Sequence, residues 1–218
     1  SNSTGVVSQV TLAYGDSVVC EITNDDVPAQ LTLVKLVTND NGGTATPGQF
    51  TLSATGPTPI SGPGGASGTV AAGTYTLAET NLPGYTEGAW SCTGSGATLT
   101  GDQLELELGA AATCTIVNDD QPAHLRLVKQ VDNQWGGTAA PGDFTLTAAG
   151  PTGFAGQGSA EQDVNAGTYD LSEAGPAGYL GQGWTCTGTG TQDGDEIALA
   201  PGQSAVCTVL NEDQPAHL

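Results

Sequence analysis

The sequence predicts an all-β protein made of tandem β-sandwich repeats of immunoglobulin-like size, with about seven short strands in each. Three observations carry this prediction. The chain matches itself at an offset of 94 residues: PAQLTLVK at 28–35 against PAHLRLVK at 122–129, NGGTATPGQFTLSATGPT against WGGTAAPGDFTLTAAGPT, and AGTYTLAE against AGTYDLSE. Its 218 residues include 33 glycines and 12 prolines but few aromatics, and Thr, Val and Leu recur in short runs bounded by turn residues. Those runs alternate with period two, and no stretch carries a helical period.

Taken in chain order, residues 1–27 read as the C-terminal fragment of a preceding repeat, because CEITNDDVPA at 20–29 matches CTIVNDDQPA at 114–123. Ser1, Asn2 and Ser3 read as a cloning remnant. Residues 28–120 form the first complete repeat, 121–213 the second, and 214–218 the start of a next one. The offset is 94 for Cys92 and Cys186 but 93 for Cys114 and Cys207, since the second repeat lacks one residue in its last hairpin. Turns in the first repeat fall at Asn41-Gly42-Gly43, Gly56-Pro57, Gly73, Pro83-Gly84 and Gly101-Asp102. Between them, alternation points Phe50, Leu52 and Ala54 inward, with Thr51 and Ser53 outward. It likewise points Leu104, Leu106 and Leu108 inward, with Glu105 and Glu107 outward. Each repeat can close its own core. The linker Asn118-Asp119-Asp120-Gln121-Pro122 is short and contains Pro, so the repeats are expected in a line with limited freedom.

A net charge of −20 argues against nucleic acid and anionic membrane as partners. No apolar run approaches the length of a membrane span. Five cysteines without CxxC spacing and two histidines make a zinc site improbable and a disulfide framework the better reading. Trp90 shares a face with Cys92, and Ile116 with Cys114. The expected pairs are therefore Cys92–Cys114 and Cys186–Cys207, leaving Cys20 free or bridged to another molecule.

The two lysines, Lys35 and Lys129, occupy the same position in the two repeats. In the strand from Leu125 to Val131, parity groups Lys129 with Leu125, Leu127 and Val131 on the apolar face. The same test puts Glu79 with Tyr75 and Leu77, Glu173 with Tyr169 and Leu171, Asn118 with Cys114 and Ile116, and Asn211 with Cys207 and Val209. Each core is thus predicted to hold one Lys, one Glu and one Asn, from its first, a middle and its last strand. Alone, each has an ordinary explanation: a lysine snorkelling from a strand end, a glutamate pairing with it at the rim, an asparagine capping the last strand. Together, and twice, they suggest chemistry. Burial disfavours both charges, so a neutral amine and a protonated carboxyl can coexist. The amine can attack the asparagine carbonyl while the glutamate shuttles protons, which releases ammonia and leaves a Lys–Asn isopeptide bond. Asn24, 11 residues before Lys35, is an alternative partner, disfavoured because it belongs to the preceding repeat.

LTLVK and LRLVK on the first strand, YTLAETNLPGY and YDLSEAGPAGY around the glutamate, and CTIVN and CTVLN on the last strand resemble a known family. It comprises the collagen-adhesin B-type domains and the related SpaA-type prealbumin-like domains of Gram-positive surface proteins and pilins. The resemblance spans residues 30–118 and 124–211. It implies a prealbumin-like sandwich and a self-generated isopeptide bond, with Lys35, Glu79 and Asn118 in the first repeat and Lys129, Glu173 and Asn211 in the second. The cysteines are not general in that family, and Pro83-Gly84 becomes Pro176-Ala177-Gly178 in the second repeat.

The expected role is a stiff, extracellular spacer on a bacterial surface, rigidified by these bonds and by disulfides. It calls for no cofactor, no metal and no turnover. Its partners are neighbouring repeats, with any host or surface ligand contacted through other parts of the protein. The rival reading is an adhesive binding module, for which Trp135, replacing Asn41 in the first inter-strand turn, is the best exposed anchor. His124 and His217 lie in the PAHL linker motif without a Ser or Cys nucleophile beside them. Asn39-Asp40-Asn41-Gly42 resembles a calcium loop, but the second repeat loses most of the ligands, so it is read as a turn. The acidic pairs Asp25-Asp26, Asp119-Asp120 and Glu212-Asp213 read as solvated acids rather than a junction calcium site.

Overall fold

The computed structural model describes residues 9–216, so Ser1–Ser3, read above as a cloning remnant, and His217 lie outside the described residues. The first repeat has eight strands: β1 (Ala29–Thr38), β2 (Thr51–Thr55), β3 (Ile60–Pro63), β4 (Gly65–Val70), β5 (Gly73–Thr80), β6 (Tyr85–Glu87), β7 (Ser91–Thr100) and β8 (Gln103–Asp120). The second has nine: β9 (Ala123–Asp132), β10 (Thr145–Ala149), β11 (Phe154–Gln157), β12 (Ser159–Val164), β13 (Gly167–Ala174), β14 (Tyr179–Gly188), β15 (Thr191–Asp193), β16 (Glu196–Leu199) and β17 (Ser204–Asp213). The count exceeds the expected seven because the chain turns a corner at Pro63-Gly64. β3 pairs with β2 in one layer, and β4 crosses over to pair with β1 in the other.

In the second repeat the layers are two separate sheets, β11-β10-β13-β16-β15 and β12-β9-β17-β14. In the first they are joined, because β8 pairs with β5 along its first half and with β1 along its second. Gly109, at φ +71°, bends β8 between those halves, and Gly202, at φ +70°, separates β16 from β17 at the equivalent place. The bend corrects one expectation. Leu104 and Leu106 are buried, but the alternation stops before Gly109 and Leu108 is 61% exposed.

Period-two faces build each core. Leu31, Leu33, Leu52, Tyr75 and Leu104 fill the first, and Leu125, Leu127, Leu146, Tyr169 and Ile197 fill the second. The first and last strands of each repeat lie side by side and parallel, with Lys35 opposite Ile116 and Val37 opposite Asn118. The second repeat repeats this register, with Lys129 opposite Val209 and Val131 opposite Asn211. Lys and Asn are therefore same-face neighbours on adjacent strands, offset by two residues.

Residues 9–28 form no strand and are exposed throughout, with Val19 and Ile22 among them. Asn24 lies in this segment, outside both cores, and Cys20 is a free, exposed thiol.

The linker is shorter than the sequence suggests, since β8 runs through Asp120 and β9 begins at Ala123. The repeats touch directly across it. Ala166 N–H donates to the Asn41 carbonyl at 2.7 Å, Gln121 N–H to the Gly84 carbonyl at 2.8 Å, and Gly202 N–H to the Gln121 carbonyl at 3.0 Å.

Candidate crosslink site

β1 brings Lys35, β5 brings Glu79 and β8 brings Asn118 to one end of the first core. All three side chains point inward, with Lys35 2% and Asn118 0% exposed and the Glu79 side chain fully covered. Lys35 Nζ stands 2.7 Å from Glu79 Oε2. The two atoms are close but not aligned as a hydrogen bond, and neither has a hydrogen-bond partner. The other oxygen, Glu79 Oε1, accepts from Asn118 Nδ2. One carboxyl thus touches both the amine and the amide nitrogen. The Asn118 carbonyl oxygen, Oδ1, is buried without a partner. Lys35 Nζ also lies 4.7 Å from the centre of the Phe50 ring, which packs edge-on against Tyr85.

The second repeat brings the same three residues together with different contacts: among the described residues no hydrogen bond joins Glu173 to Asn211 as one joins Glu79 to Asn118. Lys129 Nζ donates to Glu173 Oε2 at 2.6 Å and sits 4.4 Å from the Phe144 ring centre. Burial pushes the Lys129 amine below its ordinary value, against the opposing pull of Glu173. Asn211 is 3% exposed, and its Oδ1 is again unpartnered. The Glu173 side chain is 19% exposed, however, beside an open cleft of about 330 Å³ lined by Glu173, Gly181 and Trp184. In the first repeat Glu87 stands where the second has Gly181, and a Cβ on Gly181 would come within 2.9 Å of Glu173 Oε1 and 3.1 Å of Asn211 Oδ1. Gly181 has no side chain to cover that cleft. Glu87 itself is raised above its ordinary value, first by burial and then by the nearby Glu79.

Three supporting residues were not read from the sequence. Asn81 Oδ1 accepts a second hydrogen bond from Asn118 Nδ2 at 3.0 Å; the second repeat has Gly175 in its place, so repetition gave no signal. Asp120 and Asp213, assigned with their acidic neighbours to solvent, are only 2% and 4% exposed. Asp120 accepts from the backbone N–H of Asn41 at 3.0 Å and of Gly43 at 2.5 Å, and Asp213 from those of Trp135 at 2.8 Å and Gly137 at 2.7 Å. The signal was available, because each lies two residues beyond the inward-facing asparagine on the same strand. Asp40, Asp119 and Asp120 place carboxylate oxygens within 4.8 Å of one another, but the oxygens of Asp120 already serve the turn, and Gln134 replaces Asp40 in the second repeat.

Cys92–Cys114 and Cys186–Cys207 are disulfides between directly opposed residues of β7 and β8 and of β14 and β17, each with Cα atoms 4.0 Å apart. His124 is on β9 rather than in a linker, with Asp163 at 2.8 Å and Glu161 at 3.0 Å. Its pKa is raised, first by the hydrogen bond to Asp163. A raised folded-state pKa contributes stability that is complete below the ordinary histidine value near 6.5 and lost as pH rises through the folded value. The melting-temperature gap between the parent and His124→Gln is therefore expected to be widest in mild acid and to close towards alkaline pH, a small effect at so exposed a site.

A family model of the prealbumin-like fold domain, SpaA-type, matches residues 26–116 and 120–209. The chain belongs to this family, in two copies. No curated protein matches it in sequence. Among solved structures it is similar to the Bacillus anthracis TIE protein at 17% identity and a TM-score of 0.51; the match covers 86% of this chain and 34% of that one, so this chain spans about a third of its length. It is also similar to the major pilin T-13 of Streptococcus pyogenes (14% identity, TM-score 0.38, 88% and 98% covered). The C-terminal fragment of the pilus adhesin SpaC of Lactobacillus rhamnosus GG matches at 12% identity and a TM-score of 0.40, with 89% and 100% covered. Among the described residues no helix is long and apolar enough to cross a membrane.

Proposed function

We propose that this chain is part of an extracellular stalk on a Gram-positive surface protein, and that each repeat is locked by its own Lys–Asn isopeptide bond, Lys35–Asn118 and Lys129–Asn211. The observation that carries the reading is the single buried carboxyl of Glu79 in contact with both the Lys35 amine and the Asn118 amide nitrogen. From that position it can take a proton from Lys35 Nζ as the amine attacks Asn118 Cγ, and return one to Nδ2. The Nζ–Cγ bond forms, the Cγ–Nδ2 bond breaks, and nitrogen leaves as ammonia. Nothing else is consumed, and the reaction runs once per repeat. In the second repeat Glu173 accepts a hydrogen bond from Lys129, and Asn211 lies on the same face of the neighbouring strand.

The mechanical consequence follows from topology. Tension enters a repeat along its first strand and leaves along its last, and these strands are parallel neighbours. A bond between them carries the force from Lys35 to Asn118 and spares the chain in between. Membership of the SpaA-type prealbumin-like family supports the same role. Single-molecule pulling on the chain by its two ends tests it: no unfolding step the length of a repeat is expected, whereas two such steps would contradict the stalk mechanism.

A further inference from the structure

The junction between the two repeats has an open counterpart at the far end of the second. In the first repeat two turns meet the second repeat. A Cβ on Gly42 would stand 2.5 Å from the Ala166 carbonyl oxygen, and one on Gly84 would run into the Pro201 carbonyl. The counterparts in the second repeat are Gly136 and Gly178. They hold the same backbone conformation, φ +92° and +88° against +85° and +80°, yet neither would meet anything within 4 Å. Trp135, in the place of Asn41, is 64% exposed at this end.

The linker leaves both repeats along the same path. Gln121 N–H donates to the Gly84 carbonyl at 2.8 Å, and Gln214 N–H donates to the Gly178 carbonyl at 2.8 Å. Entry is also repeated: Gly202 N–H bonds the Gln121 carbonyl at 3.0 Å, and Gly109 N–H bonds the Val27 carbonyl at 2.8 Å. Where the linker follows the same course, it delivers the following repeat to the same place.

We infer that Trp135, Gly136 and Gly178 form a docking face for one further prealbumin-like repeat following Gln214 in cis. That repeat would present a loop like Asn165-Ala166 to the Trp135 carbonyl and ring, and a loop like Pro201-Gly202 to Gly178. On this account the tryptophan is a stalk joint rather than a ligand anchor. The inference rests on the stalk reading but is independent of the crosslinks, whose failure would show in mass and not here.

The test appends residues 126–213 after Leu218, since Gln214-Pro215-Ala216-His217-Leu218 already matches the start of the second repeat at 121–125. The appended segment copies a repeat that folds in this chain, and it carries Phe at its own counterpart of Trp135. Trp90 and Trp184 are 6% and 8% exposed, so acrylamide quenching reads chiefly Trp135. The expected result is a severalfold fall in quenching and a blue-shifted emission on extension, restored to the level of the 218-residue chain by Ala→Arg at the appended counterpart of Ala166. Equal quenching in the extended and parent chains would overturn the inference. So would quenching in the parent that falls with its own concentration, because the face would then belong to a second molecule.

Discussion

Glu79→Ala will leave the first repeat uncrosslinked while the second keeps its bond. The side chain removed contacts both Lys35 and Asn118, so the proton path it provides between amine and amide is lost. The apolar faces that define the sandwich are untouched, and Cys92–Cys114 still forms across β7 and β8. The variant is expected to be heavier than the crosslinked parent by one ammonia, after allowance for the substitution, and to lose about 4–5 kcal/mol of stability from the opened loop by the chain-entropy account. The buried Lys35 left without a counter-charge adds to that loss. Intact mass and chemical denaturation check the two parts separately. Glu173→Ala should do the same to the second repeat alone.

Asp120→Ala is the second large effect, and it concerns the frame rather than the bond. The carboxylate holds the 41–43 turn by accepting from two backbone N–H groups and from the Asn41 side chain, and the same turn contacts Ala166 of the next repeat. Removing it leaves those donors without an acceptor in a partly buried place, at an expected cost of about 3 kcal/mol. The exposed neighbour Asp119, replaced in the same way, is expected to change stability by less than about 0.5 kcal/mol. Urea denaturation of the two variants side by side checks the contrast. Equal effects would mean that burial of Asp120 carries no energy.

Most of the candidate site was legible because strand parity is strict. Lys35, Glu79 and Asn118 each fall on the apolar side of a strand whose other members are unmistakable, and the second repeat restates all three. Parity failed where the backbone departs from a regular strand. The turn of β8 at Gly109 releases Leu108 to solvent, and nothing in the alternation of Leu104, Leu106 and Leu108 marks the break except the glycine that follows. Asp120 and Asp213 were missed for a different reason. Read as members of acidic pairs they look solvated, whereas one strand residue of each pair points in and its neighbour points out. The cleft beside Glu173 could not be read at all, since it is lined in part by Gly181, a position with no side chain to mark it.

The two repeats also differ in a way that bears on the chemistry. Glu79 is sealed, whereas Glu173 meets solvent through that cleft. Excluding water strengthens the electrostatic interactions among the reacting groups, so the sealed site is the better pre-organised of the two. The order in which the two bonds form in a freshly folded chain is therefore expected to be the first repeat before the second.

The central claim is covalent, and the intact mass of the fully reduced protein tests it most directly. With all five cysteines reduced, the account predicts a mass below that of the sequence by two ammonia molecules, one for Lys35–Asn118 and one for Lys129–Asn211. A reduced mass equal to that of the plain sequence would contradict it, and would leave a pair of disulfide-bonded sandwiches whose buried lysines, glutamates and asparagines are held by charge and hydrogen bonds alone.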